Sequence, residues 1–426
     1  MKRNNFRRRT LPRSPQRRPL QPTSIDRRIK RRKNQQKRLF LIVIVIAFLG
    51  ISLFGLYSII NNGRRSKEAL KSELELMQMN EVTDKKGESS TENTPLDLYY
   101  YHSIISDEDR ELYDLILDGV LAHDSSIILP TNIEGKLQKM MKMILADHPE
   151  IFWIDGAYQY TAYDDKMDLE INYLYGTNEI ISRKKEIEST ANEFSQLLSD
   201  EDTDYDIVRK AYLYLIDTVE YVSESSDNQN IYSSLVNHES VCAGYSKATQ
   251  YLLQRNGIQA LYVSGTANGS VGWGNHAWNI VLCDGQYYQV DTTFGDGYTN
   301  PDLRMAELGI HNYAYLCIDD DTMYRNHLPS QELAIPTCDS MDLNYYLQNG
   351  LYAAEFDETV VQSMHDSVFN GEKTWCYQFS NYEAYSECLE SIQEGAYSSI
   401  VSEYLVGSCQ TTYIRDDDMY YVLCWY

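Results

Sequence analysis

Apolar residues recur at helical spacing between Val241 and Gln254, and this pattern predicts a buried helix. Asn256-Gly257 follows directly, and glycine accepts the left-handed conformation that commonly ends a helix. Cys242 therefore falls in the first turn of the predicted helix. Unpaired backbone N–H groups and the helix dipole favour a thiolate, the nucleophilic form of cysteine, at such a position.

Alternating and apolar runs after this helix predict an antiparallel sheet. Ala260 to Gly265 is apolar and predicts a strand, whereas the glycine-rich stretch from Asn268 to Asn275 predicts a loop. His276 to Leu282 alternates with the period of a strand. Asp284-Gly285 predicts a two-residue hairpin turn, and Gln286 to Thr292 is the returning strand.

The predicted hairpin places two ionisable side chains close together. A strict two-residue turn sets Asp291 opposite Trp278 and makes His276 its diagonal neighbour on the same face. Cys242, His276 and Asp291 would then suit a thiol–imidazole–carboxylate triad. His276 takes the thiol proton and Asp291 fixes the imidazole tautomer. His238, close before Cys242, is a rival base, disfavoured because it lies in a loop that enters the cysteine helix.

The same residues resemble a known family. Val-Cys-Ala-Gly-Tyr, Asn-Gly-Ile, His-Ala-Trp and Val-Asp-Thr-Thr stand in the order found in the transglutaminase-like, papain-related superfamily, specifically its bacterial secreted or membrane-bound members. The resemblance covers about residues 130 to 330. It extends less sharply to His148-Pro-Glu-Ile-Phe-Trp153, to Tyr313-Ala-Tyr-Leu-Cys-Ile and to Tyr324-Arg-Asn-His327.

The resemblance implies an α+β fold in which a helix bearing the cysteine packs on an antiparallel sheet bearing the histidine and aspartate. It implies covalent acyl transfer on peptide or protein amides, with Cys242, His276 and Asp291 as catalytic residues. Water or an amine would resolve the thioester, and hydrolysis is preferred slightly over cross-linking. The alternative is a non-catalytic surface module that binds peptide or cell-wall polymer, with Trp273, Trp278 and tyrosines lining its cleft.

The N-terminal pattern predicts a membrane anchor. Residues 1–38 contain sixteen Lys and Arg and one acidic residue, which predicts a disordered basic arm. Leu39 to Ile60 is 22 residues without charge, enough for one membrane-spanning helix. The charge bias keeps the arm in the cytoplasm and places the later domains outside the cell. Residues 61–97 are polar and predict an extracytoplasmic spacer.

The sign of the net charge changes at this apolar run. Without the arm, 22 basic and 61 acidic residues remain, so the larger part of the chain is strongly acidic. An acidic domain is not expected to bind nucleic acid. The expected partners are therefore a peptide or protein substrate, the membrane through Leu39–Ile60 and, as a further candidate, a cell-wall polymer.

Two folded units are predicted beyond the spacer. The first, residues 98–335, combines the transglutaminase-like core with an extension of helices and strands. The second, residues 340–426, is a small α+β domain with a closing hairpin. The predicted elements outside the core are helices at 107–120, 132–146, 179–198 and 206–222, and strands at 158–163 and 167–173.

The sequence contains no recognisable metal or cofactor motif. Cys-x-x-Cys pairs and a His-Glu-x-x-His helix are absent, so neither a zinc site nor any other cofactor is predicted. The acidic triplets at 319–321 and 416–418 lack the remaining features of a calcium loop, and solvated turns are expected there. Eight cysteines leave seven beside Cys242, an odd number that argues against a full disulfide framework.

Overall fold

The computed structural model describes residues 98–297, 310–405 and 410–426. The predicted basic arm, membrane span and spacer lie outside these residues. Among the helices that the structure does describe, none is both long and apolar enough to cross a bilayer.

Helices and strands alternate along the chain in a mixed α+β arrangement. The α-helices of the described residues are α1 (Tyr100–Ile104), α2 (Asp107–Leu121), α3 (Glu134–Asp147), α4 (Thr177–Ser195), α5 (Asp204–Thr218), α6 (Cys242–Arg255), α7 (Thr292–Gly295), α8 (Asp320–Met323), α9 (Tyr345–Gln348), α10 (Glu358–Phe369), α11 (Tyr382–Gln393) and α12 (Ala396–Tyr404). A short π-helix, Ser233–Asn237, precedes α6. The predicted helices occur with boundaries shifted by a few residues, because local caps decide their ends; Thr203 and Asp206, for example, form a capping box that starts α5.

The strands form four sheets within the described residues. They are β1 (Ile127–Leu129), β2 (Ile154–Ala162), β3 (Met167–Tyr173), β4 (Glu220–Tyr221), β5 (Glu239–Ser240), β6 (Ala260–Gly269), β7 (Gly272–Cys283), β8 (Gln286–Val290), β9 (Leu316–Ile318), β10 (His327–Pro329), β11 (Tyr352–Ala353), β12 (Thr374–Phe379), β13 (Thr412–Asp416) and β14 (Tyr421–Trp425). The central sheet has the order β10-β6-β7-β8-β9, with every neighbouring pair antiparallel. The other orders are β1-β3-β2, β11-β12-β14-β13 and β4-β5.

The glycine-rich stretch from Asn268 to Asn275 is not a loop, and that prediction was wrong. Strands β6 and β7 continue through it and pair down to Gly269 and Gly272. Gly272 takes a positive φ of 93°, which glycine adopts without strain, so the chain reverses within two residues. Backbone pairing with β6 holds this region extended although glycine has a low intrinsic preference for strands.

Helix α6 lies against the central sheet and is almost wholly buried. The Asn279 side chain on β7 donates hydrogen bonds of 3.0 Å to the carbonyl oxygens of Ser246 and Leu261, joining helix and sheet. Gln250 donates to the carbonyl oxygens of Ala146 on α3 and Ala260 on β6. These buried amides fix the position of the helix that carries Cys242, because a shift would leave polar groups unpaired.

The C-terminal residues form helices α9 to α12 and the sheet β11-β12-β14-β13, in which β13 and β14 are the predicted closing hairpin. Tyr346 and Tyr421 from this region share one buried apolar cluster with Trp278 of the central sheet. The division into residues 98–335 and 340–426 stays a prediction. Asp416, expected in a solvated turn, is buried instead, because its carboxylate closes the β13–β14 turn by accepting from the backbone of Asp418 and Met419.

Candidate active site

Cys242 is the first residue of α6, as the hydrophobic pattern predicted, and its side chain is only partly buried. Gly244, two residues further into the helix, lies against serines of the π-helix and β5. A Cβ at this glycine would meet the Ser240 hydroxyl at 1.9 Å and those of Ser233 and Ser234 at 2.9 Å. The small residue therefore lets the preceding chain approach the start of the helix.

Tyr245 explains the remaining part of the Cys-Ala-Gly-Tyr motif. Its ring is fully buried. Its hydroxyl lies at hydrogen-bond distance from two acceptors, the Val219 carbonyl oxygen at 2.7 Å and Asp296 Oδ2 at 2.9 Å. These contacts join the start of α6 to the residues that follow α5 and α7. Burial raises the pKa of Asp296 to about 7, although the hydrogen bond from Tyr245 favours the charged form.

His276 and Asp291 come together through the β7–β8 hairpin. The pairs Cys283–Gln286 and Asn279–Val290 have the register expected for a two-residue turn at Asp284-Gly285. Asp291 directly follows β8 and is the N-cap of the short helix α7. His276 Nε2 lies 2.7 Å from Asp291 Oδ2.

Every oxygen of the Asp291 carboxylate is engaged. Oδ1 accepts hydrogen bonds from the backbone N–H groups of Thr293 at 2.8 Å and Phe294 at 3.1 Å. Oδ2 accepts from His276 and, at 2.9 Å, from Nε2 of His327 on β10. The carboxylate is almost completely buried, and these donors stabilise its charged form.

The charges in this cluster support one another. Burial by itself would raise the pKa of Asp291, but the two histidines hold it well below its usual range. Burial would likewise lower the pKa of His276, but Asp291 and Cys242 outweigh it and raise that pKa to about 9. For His327, burial is the larger effect and lowers the pKa despite Asp291. At neutral pH the arrangement is therefore an aspartate between a charged His276 and a neutral His327.

Cys242 and His276 meet in an open cleft. Both side chains line a cavity of about 860 Å³, and Cys242 is one of the groups that raise the pKa of His276. Because Nε2 of His276 faces Asp291, Nδ1 is the ring nitrogen left for the sulfur. The structure thus places His276 against Asp291 at hydrogen-bond distance and puts Cys242 in the same cleft as His276.

His327 is the residue of this cluster that the spacing of the motifs did not identify as functional. The only signal was its place in Tyr324-Arg-Asn-His327, a weaker part of the family resemblance. Its side chain is fully buried and reaches the same oxygen of Asp291 that His276 contacts. Strand β10 brings it there by pairing with β6, which the local pattern does not indicate.

His276, Asp291 and His327 also have the residue types of a metal site, with ligand atoms within 4.8 Å of one another. The contacts of 2.7 and 2.9 Å are hydrogen-bond distances. They are shorter than the separation of about 3.3 Å between ligand atoms at a tetrahedral zinc with bonds near 2.0 Å. The geometry fits a hydrogen-bonded array better than a metal centre.

Three other residues considered from the sequence lie elsewhere. His238 is exposed, takes a left-handed backbone conformation and does not line the cleft. Trp278 does not line it either, because its ring is buried beneath the sheet and donates to Gln289 Oε1 at 2.7 Å. Trp273, in contrast, is 53% exposed near the tip of the β6–β7 hairpin.

A helix with a cysteine at its N-terminus, packed on an antiparallel sheet that carries a bonded histidine–aspartate pair, defines the architecture of papain-related cysteine proteases. Residues 192–292 match the family model of the transglutaminase-like superfamily. The chain therefore contains a transglutaminase-like domain, which confirms the resemblance read from its motifs.

Two curated proteins and two solved structures show the range of this similarity. Kyphoscoliosis peptidase of Homo sapiens is 23% identical over 184 residues, which is 40% of this chain and 28% of that protein. The Mus musculus protein of the same name is 24% identical over 160 residues, 34% of this chain and 24% of that protein. This chain thus spans less than a third of the length of these relatives.

The solved structures are more distant. A transglutaminase crystal structure has 12% identity and a TM-score of 0.25, over 34% of this chain and 45% of that one. A candidate cysteine protease from Cytophaga hutchinsonii has 15% identity and a TM-score of 0.23, over 32% of this chain and 61% of that one.

Proposed function

We propose that this protein is a cysteine acyl-transfer enzyme acting on peptide or protein amides, with Cys242, His276 and Asp291 as its catalytic triad. The observation that supports this most directly is His276, whose Nε2 bonds Asp291 and which lines the same cleft as Cys242. A protonated imidazole beside the sulfur favours the thiolate, and a thiolate is the competent nucleophile.

The reaction follows from these positions. The Cys242 thiolate attacks the amide carbonyl carbon, and backbone N–H groups at the start of α6 help to hold the resulting oxyanion. His276 gives its proton to the departing amine as the carbon–nitrogen bond breaks, leaving a thioester. Water or an amine then attacks the thioester, loses a proton to His276 and releases the thiol.

We favour hydrolysis over cross-linking. The cleft is open and Cys242 is only partly buried, so water reaches the thioester. A related protein carries the name peptidase. These observations support an amidase or protease, whereas efficient transfer to amines requires water to be excluded.

The test is turnover of the full chain on a set of peptide amides, with and without a primary amine, comparing wild type with Cys242→Ala, His276→Ala and Asp291→Asn. Product mass separates the acid, which has gained water, from the amide formed with the amine. We expect Cys242→Ala to abolish turnover and Asp291→Asn to slow it less than His276→Ala does. Turnover that survives in Cys242→Ala would refute the triad.

A second candidate is a non-catalytic module that binds peptide or cell-wall polymer. The β6–β7 hairpin favours it, since Val271 is 99% and Trp273 53% exposed near its tip. Apolar side chains that are exposed together on a protein surface often mark a binding site. Cosedimentation with purified wall polymer, in which Trp273→Ala loses binding and Cys242→Ala retains it, would support this function instead.

We further propose that Leu39–Ile60 anchors the chain in the cell membrane, with residues 1–38 cytoplasmic and the later domains extracellular. The support is the uncharged run of 22 residues directly after sixteen basic ones. Protease added outside intact cells should digest the region after residue 97 and spare the arm. Release of the chain by alkaline carbonate would contradict the anchor.

A further inference from the structure

A second, smaller cavity adjoins the active-site cleft. Its volume is about 270 Å³, and its walls are mainly apolar, with Leu145, Val263, Leu333 and Ile335 among the lining residues. Three charged side chains also line it: Lys142, Lys247 and Glu332. An apolar cavity with a few polar groups is the usual form of a ligand subsite.

The charges in this cavity do not balance. Lys142 on α3 forms an ion pair with Glu332, so this carboxylate is already paired. Lys247 on α6 donates to the backbone carbonyl oxygen of Gln229 at 3.1 Å and lies 5.6 Å from the centre of the Tyr262 ring. Within the described part of the chain, no ion pair of Lys247 with a carboxylate is found. One cation is therefore left without an anion in a partly buried position.

The environment of Lys247 has a measurable consequence. Burial lowers the pKa of its amine to about 8, and no neighbouring carboxylate offsets this effect. The amine is still mainly protonated at neutral pH. A half-buried charge without a partner is unfavourable, so an anion placed beside it gains more than it would at an open surface.

The cavity borders the cleft of the proposed chemistry. Tyr262, Ser264 and Ser330 line both the cleft and the smaller cavity. Tyr262 is close enough to Cys242 for the sulfur's charge to raise its pKa, although burial is the larger cause, and its ring also contacts Lys247. Cys242 and Lys247 are five residues apart on one helix, which is about 7.5 Å along its axis. A ligand bound at the thiol can therefore extend past Tyr262 to the amine.

We propose that Lys247 and this cavity form a substrate subsite for a carboxylate, with the apolar walls holding the aliphatic part that carries it. The inference rests on the proposed acyl-transfer function and adds a substrate class to it: amides with an acidic group one or two residues from the reacting carbonyl. One uncompensated cation suits a monoanion, whereas phosphate groups are usually bound by several donors. The carboxylate belongs either to an acidic side chain or to the C-terminus of a peptide.

The first experiment needs no known substrate. The full chain is labelled at Cys242 with maleimidocaproic acid and, separately, with its neutral primary amide, and peptide mass spectrometry measures the rate at Cys242. In wild type, the ratio of the labelling rate with the acid to that with the amide should be about tenfold larger at Cys242 than for free glutathione. One charge-assisted hydrogen bond gives a selectivity of this size. Lys247→Met should lose the preference and Lys247→Arg should keep most of it. Lys139→Met, an exposed lysine outside the cavity, is the matched control and should behave as wild type.

The outcomes separate this inference from the proposed function. An acid preference that is the same in wild type and Lys247→Met overturns the subsite, whatever the reactivity of the thiol. If Cys242 reacts no faster than glutathione with the neutral amide, the triad fails, yet a preference lost in Lys247→Met still supports the subsite. Circular dichroism confirms that each variant is folded.

A second set of probes identifies the source of the carboxylate. Peptidyl chloromethyl ketones cannot carry a free C-terminus, so maleimide-linked dipeptides are used: one with Glu and an amidated C-terminus, one with Gln and a free C-terminus, and one with neither charge. If the Glu dipeptide labels faster and the gain depends on Lys247, the carboxylate belongs to an acidic side chain. If the dipeptide with the free C-terminus does so, it is a C-terminal carboxylate. Equal labelling by all three overturns the proposal.

Discussion

Nε2 of His327 lies 2.9 Å from Oδ2 of Asp291, the oxygen that Nε2 of His276 approaches at 2.7 Å. Asp291 is ionised and can only accept, so both histidines donate to it. His327 thus holds the same carboxylate oxygen that the proposed general base contacts. Together with the two backbone donors on Oδ1, it fixes the direction in which Asp291 faces His276.

This relationship predicts a positioning role for His327. His327→Met removes the donor and should reduce the alkylation rate of Cys242 about tenfold, because a buried hydrogen bond to a charged group is worth about 1.5–3 kcal/mol. His327→Gln retains an N–H in a similar place and should recover most of the rate. The rates are measured with iodoacetamide. A purely structural role would instead lower stability in both variants and leave the rate of the folded protein unchanged.

The thiol itself should react as an ion pair. Between about pH 6 and 7, where ordinary thiols are protonated, iodoacetamide should alkylate Cys242 about 100-fold faster than glutathione. His276→Ala should remove this advantage, and Asp291→Asn should reduce it about tenfold. Peptide mass spectrometry assigns the rate to Cys242, with Cys242→Ala as the background. Equal rates in wild type and His276→Ala would rule out the ion pair.

The raised pKa of His276 predicts an alkaline transition. Its folded-state pKa of about 9 lies above the usual value near 6.5, so the protonated ring stabilises the fold. That stabilisation is complete below about pH 6.5 and is lost as pH rises through about 9. Urea titrations give the free energy of unfolding of wild type and of His276→Gln. The difference between the two should therefore decrease between about pH 6.5 and 9.5. A difference that stays constant over this range would contradict the shift.

The close approach at Gly244 predicts a local steric limit. Gly244→Ala places a methyl group 1.9 Å from the Ser240 hydroxyl and should lower the free energy of unfolding by about 1–3 kcal/mol. Gly135→Ala is the matched control, since a Cβ at this helical glycine meets nothing within 4 Å. The control should be neutral or stabilising by up to about 1 kcal/mol. Urea titrations followed by circular dichroism compare the two, and similar losses in both would argue against the clash.

The hydrogen-bond distances around Asp291 predict independence from metal ions. Treatment of the full chain with a chelator should leave the alkylation rate of Cys242 and the melting temperature unchanged. Added zinc should bind more weakly than it does to a closed four-ligand site, because Asp291 is already occupied by four donors. A fall in melting temperature on chelation, reversed by zinc, would show a metal centre instead.

Local patterns in the sequence determined the parts of the site that depend on near neighbours. The apolar period placed Cys242 at the start of a helix, and a two-residue turn at Asp284-Gly285 set the β7–β8 register that brings His276 to Asp291. Both follow from backbone geometry within some twenty residues, where helix period and turn length leave little freedom. The same reasoning failed between Asn268 and Asn275, since strand pairing outweighed the low strand preference of glycine.

Only the tertiary structure decided which distant segments meet around Asp291 and Cys242. His327 lies 36 positions after Asp291 and reaches it because β10 pairs with β6 rather than with its neighbours in sequence. The helix bearing Cys242 is held against the sheet by Asn279 and Gln250, whose partners are far apart in the chain. Likewise, Glu332 pairs with Lys142 rather than with Lys247, which has no carboxylate partner among the described residues. Such contacts arise from packing and from the need to pair buried polar groups, and no short-range period encodes them.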